Sequence, residues 1–200
     1  MELDPYIADG EQAKETLEAI RAALVGLEPC DPVHFLPDGK DWAASWNIWI
    51  EEWFLPVVGP YLLESRMLVS KYATREVIEL AQSFSKELQT DEQKRSLSAG
   101  EVLKQSIVGA RHRPELDKLM NAKSGDGESN RHFVTLFAAR CASHHISQAA
   151  TVAAYLYFEL SGGAKSKDGE APSPRLLLPL VLPAVRRILD SQPPFNYQVA

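Results

Sequence analysis

The chain is poor in cysteine, with only Cys30 and Cys141 in 200 residues, far apart and without a CxxC spacing. That excludes a disulfide framework and a thiolate zinc site as organising elements. Cys141 lies in an apolar stripe and reads as a small buried hydrophobe. Excess positive charge is also lacking: 21 Lys and Arg stand against 27 Asp and Glu, a net charge of −6. A non-specific nucleic-acid binder needs a basic face to displace counterions, so nucleic acid is not an expected partner. No run reaches the roughly 18 apolar residues that a membrane span requires. Residues 176–185 come nearest and contain Pro179 and Pro183. With no signal peptide either, the expected location is the cytoplasm, with no membrane association.

Catalytic signatures are missing as well. There is no GxSxG, no HExxH and no ExxH pair, and the GDGES run lacks the lysine and spacing of a phosphate loop. The histidines are His34, His112, His132, His144 and His145. Adjacent His144 and His145 would point about 100° apart on a helix and could not chelate one metal together. His132 with one of them is a conceivable metal pair, but polar surface or helix-end roles are commoner for such residues. No metal and no cofactor are therefore expected. Glu51 and Glu52 read as a solubilising outer face.

Strand signals fail too, with no sustained alternation and no Asn-Gly hairpin turn. What remains is helical periodicity. The apolar fraction of 45% and charged fraction of 24% are those of one globular domain. The expected architecture is an all-α, single-domain bundle of about eight or nine helices. Flexible segments are expected near residues 1–10, 28–40, 122–130, 162–173 and 191–200.

Residues 131–160 organise this bundle. Ile146, Ala149, Ala150, Ala153, Leu156, Tyr157 and Leu160 recur at helical spacing, and Phe133, Leu136, Phe137 and Cys141 repeat the period before them. The stretch is a helical hairpin or one kinked helix, broken near residues 143–147.

The first helix is expected over residues 11–27, followed by a proline-rich loop. Asp41 is a fitting N-cap for the next helix. Trp42, Trp46, Trp49 and Trp53 share one face of it. Such a row serves either core packing, the favoured reading, or an aromatic platform for a partner. Pro56 and Pro60 should interrupt the chain, with a new helix over residues 61–70. Thr74 should cap a helix carrying Val77, Ile78, Ala81, Phe84 and Leu88 inward. Thr90 and Gln93 have the spacing of a capping box. In the helix they open, Leu97, Gly100, Leu103 and Ile107 align, and a glycine amid such a stripe suggests a close backbone contact. Pro114 should open a short helix. The last segment, apolar nearly all round, should be buried and split by Pro179 and Pro183 into two pieces.

Ser96, Gly100, Val102 and Leu103, followed by a variable loop and a histidine opening an apolar helix, resemble the urease accessory protein F family. His132, Phe137, Ala138, Ala139, Ala149, Ala150, Tyr155, Leu156 and Tyr157 stand in matching places, and residues 177–185 resemble the family's last helix. The likeness covers about residues 61–189. It departs at the N-terminus, where Pro37, Gly39, Trp42 and Ser45 only echo the family's stretch and Gly-Leu-Glu is missing.

The resemblance implies a non-catalytic, all-α chaperone of nickel insertion that can dimerise. Its implied partners are urease subunits, a second accessory protein and a GTPase. Candidate partner-binding residues are Trp42, Ser96, Gly100, His132 and Tyr155, with Phe195 and Tyr197 as anchors in the tail. The competing class is an all-α enzyme with a pocket inside the bundle, using His132 with Tyr155 or Tyr157 and Glu159.

Overall fold

A computed structural model describes residues 10–24, 32–36, 41–107, 119, 131–163 and 174–191. Among these there are seven helices and no strand, so the all-α class stands and the helix count is lower than expected. Helix α1 is Gly10–Leu24. An α-helical Trp42–Trp49, a π-helical Ile50–Val58 and an α-helical Gly59–Ser70 follow without interruption and together make α2. Then come α3 (Thr74–Glu87), α4 (Thr90–Ile107), α5 (Phe133–Ser143), α6 (Gln148–Gly163) and α7 (Pro174–Asp190).

The continuity of α2 through Pro56 and Pro60 corrects the expected break. Wider π winding bonds each N–H to the fifth residue back, as Gly59 N–H does to Phe54 O. It also relieves the clash a proline ring makes with the carbonyl four residues back. Pro60 stands in the first turn of the following α-helical segment, where a missing N–H costs little. Gly59 admits α7: a Cβ there would lie 2.9 Å from the Ile188 side chain.

Helix α7 is likewise one helix rather than two. Pro179 and Pro183 are one turn apart on its exposed side, where carbonyls deprived of a helical donor can meet water. Nor is α7 buried all round. Leu177, Leu178, Val181, Ala184, Val185 and Ile188 face inward, while Leu176 is 67% exposed.

Capping follows the sequence at α2, where Asp41 Oδ1 accepts the Ala44 N–H at 3.0 Å. At α4 the reciprocal bond is shifted by one residue: Glu92 accepts the Gln89 N–H, while Gln93 donates to Ser85 O at the end of α3. Thr74 is the first helical residue of α3, with Ala73 as a cap that makes no side-chain bond.

The hairpin is two helices, and α5 is the centre of the molecule, with every residue from Phe133 to Ala142 buried. It packs chiefly on α2 and α4, whereas α6 packs on α1 and α7. Between α5 and α6 the contact is largely aromatic, Phe133 on Phe158 at 4.8 Å and Phe137 on Tyr155 at 5.8 Å. The α6 stripe is broader than its alanine pattern: Ala149 is exposed, and burial runs from Ala150 to Leu156. Of the tryptophans, Trp46 is wholly buried, and Trp42, Trp49 and Trp53 are half-buried against the core. The core-packing reading of that row therefore holds. Cys30, the short helix expected at Pro114 and the tail fall outside the described residues.

Candidate functional site

The chemistry-bearing side chains converge where α4 meets the start of α5. A Cβ on Gly100 would stand 1.8 Å from Arg131 O, so only glycine allows the two backbones to touch. That is the close contact its place in the stripe suggested. One turn earlier, the buried Ser96 Oγ accepts the Phe133 N–H at 3.2 Å. It thereby satisfies one of the donors that begin α5. The same hydroxyl lies 3.4 Å from His34 Nε2.

His34 belongs to residues 32–36, a short irregular segment inside the proline-rich loop. Its prolines prevent a helix, yet residues 32–35 are buried, so their backbone groups need partners elsewhere. Glu159 of α6 supplies them. Its Oε2 accepts the N–H groups of Val33, His34 and Phe35, each at 3.0 Å, across more than 120 residues of sequence. Three converging amides form a nest that suits an anion. Arg95 Nε donates to Val33 O at 3.2 Å and ties the segment to α4. Phe35 packs on Trp46 at 5.0 Å and Trp49 at 5.7 Å, and Trp46 Nε1 donates to Leu180 O.

Rings surround this polar seam. Phe84 stacks on Tyr61 at 4.0 Å and meets the edges of His34 and His132, each at 6.0 Å. The Tyr61 hydroxyl hydrogen-bonds Thr135 Oγ1. Burial first, then the positive potential of His132 and Arg95, pushes the His34 pKa down to about 3, so its ring is neutral. Burial raises the Glu159 carboxyl, and the three amides and the nearby Tyr155 hydroxyl only partly offset it. Tyr155 is itself raised well above an ordinary phenol by burial and by the Glu159 charge one turn away. Tyr61 is pushed up to about 12, and Cys141 to about 11, both by burial first.

Of the candidate residues, Ser96, Gly100, His132 and Tyr155 are all interior, and Trp42 is half-buried. Ser96 and Gly100 join α4 to α5, and His132 and His34 flank Phe84. Phe195 and Tyr197 lie outside the described residues. Tyr155 and Glu159 come together as the enzyme reading needs, but Tyr157 turns away, close enough to feel the Arg21 charge. His132 and the exposed pair His144 and His145 stand at opposite ends of α5, about 18 Å or more apart by helical rise, so they cannot share a metal. Among the described residues no group of three His, Cys, Asp or Glu side chains is placed to hold a metal ion. None of their helices is long and apolar enough to cross a membrane.

His34, Thr135 and the anchoring role of Glu159 escaped the sequence reading. One local signal existed. Val33, His34, Phe35 and Leu36 form a largely apolar run inside a proline-rich loop, and such a run suggests burial. Compared with known proteins, the chain matches no family model, no curated protein and no solved structure.

Proposed function

We propose that this chain is a non-catalytic helical assembly factor, working through protein partners in the manner of the urease accessory protein F family. In that reading it bridges a metalloenzyme client and a GTPase metal chaperone, and it can act as a homodimer. One observation carries the proposal. Two of the buried polar side chains at the site are tied to the chain's own backbone, Glu159 Oε2 to three amides and Ser96 Oγ to the Phe133 N–H, among the packed rings of Phe84, Tyr61 and Phe35. Such ties make a rigid body, which a bridging role requires and a nucleophile does not use.

The enzyme reading draws on a different observation. His34, Tyr155 and Glu159 are neighbouring buried groups with displaced titration, the pattern common at active sites.

Affinity purification of the tagged full chain from its native lysate, with mass spectrometry and metal analysis on one eluate, separates the two. Urease subunits or a small GTPase, with no stoichiometric metal, would support the assembly factor. A chain emerging alone, with or without a metal or coloured cofactor, would overturn it.

A further inference from the structure

The geometry points to a conformational device: we propose that residues 32–36 form a strap that acid detaches while the helices stay folded, baring Trp46 and Trp49. This stands independently of the assembly-factor reading. The strap has no secondary structure of its own, and the bonds that fasten it come from side chains on the helices beneath. These are Glu159 on α6, with Arg95 and Ser96 on α4. Each helix, by contrast, keeps its backbone ladder within itself. Losing the strap therefore costs no helical bond, and the strap can leave as a unit.

His34 is the strap's single titratable side chain. From α4 it faces Arg95 and Ser96, from the entry to α5 it faces His132, and from α3 the Phe84 ring, with Tyr61 of α2 behind. From α6, Glu159 meets its backbone N–H rather than its ring, with Tyr155 one turn away. A proton on the imidazole thus places a buried cation between a guanidinium and a second imidazole. In water the same imidazolium is fully hydrated. Glu159 works in the opposite sense, because burial already favours its neutral form, so the imidazole is the driver. What the strap covers is aromatic: Phe35 lies on Trp46 and Trp49, which continue to Phe54. All four tryptophans are on α2, so their emission reports the uncovering.

The test is an acid titration of the full chain from neutral pH downward, following tryptophan emission and far-UV ellipticity together. The expected result is a red shift of emission at higher pH than the loss of ellipticity. His34→Gln should lower the emission midpoint by about one pH unit and leave the ellipticity midpoint in place. Coincident transitions in the unsubstituted chain, or an emission midpoint indifferent to His34→Gln, would overturn the strap. Amide exchange on the unsubstituted chain gives a check that needs no variant. Mildly acidic solution should lower the exchange protection of the Val33, His34 and Phe35 amides, each corrected for the intrinsic pH dependence of exchange, by at least tenfold more than that of α5 and α6. An equal fall in protection would sink the proposal.

Discussion

Helix α5 and residues 32–36 are both almost wholly buried, and they solve the same problem in opposite ways. Along α5 the backbone ladder closes on itself beyond the first amide, which Ser96 accepts, and apart from Thr135 on Tyr61 and Arg140 on Ala23 O its side chains need only apolar neighbours. The 32–36 segment has no such ladder, so it borrows one carboxylate oxygen for three amides and a guanidinium for a carbonyl. A buried helix is robust because its polar groups are paired locally. A buried irregular segment depends on a few distant residues, and losing one leaves several groups unpaired at once.

The largest expected effect comes from Glu159→Ala. Three buried amides lose their acceptor, so stability should fall by about 3 to 5 kcal/mol. Leu136→Ala in α5 should cost about 2 to 5 kcal/mol from its cavity. Urea denaturation of both variants tests the comparison, and a Glu159→Ala loss under about 1 kcal/mol would break it. Next in size is Gly100→Ala, which drives a methyl into Arg131 O and should cost about 3 kcal/mol, read the same way. A neutral result there would mean that α4 and α5 do not touch through their backbones.

The third effect is pH-dependent. His34 has a pKa of about 3 in the fold against 6.5 for the free side chain. Between those values the unfolded chain holds the proton and the native chain does not, so stability declines as pH falls. For as long as residues 32–36 stay docked, the loss grows toward roughly 3 kcal/mol at pH 4, and it stops growing where they detach. Glu159, raised by burial, opposes this by favouring the fold as acid neutralises it. Denaturant midpoints measured at stepped pH should therefore follow a shallower acid slope in His34→Gln and a steeper one in Glu159→Gln. Identical slopes in all three proteins would refute the assignment.

The smallest effect lies at two helix ends. Tyr72 and His145 have φ of 59° and 58°. Each follows a helix whose closing bonds, Ala73 N–H to Leu68 O and Ile146 N–H to Cys141 O, form a Schellman turn that favours glycine. Replacing either with glycine should stabilise the protein by about 0.5 to 1 kcal/mol, visible as a rise in Tm.

Much of the fold was legible in the chain itself. Helical spacing of apolar residues marks the buried faces, Asp41 marks a cap, and Gly100 marks a close approach, because each signal is local. The continuity of α2 and α7 was not legible. A proline's effect depends on whether its surroundings supply wider winding, as at Pro56, or solvent, as at Pro179 and Pro183. Least legible was the tie between Glu159 and residues 33–35. No periodicity spans that separation, and a lone glutamate on an alanine-rich helix looks the same whether it meets water or three amides. The sequence by itself determined which segments coil and which faces avoid water, through short-range sterics and hydrophobic patterning. Only the tertiary structure decided where the unpaired backbone of the irregular segment would find its acceptor, because that partner is chosen by packing geometry.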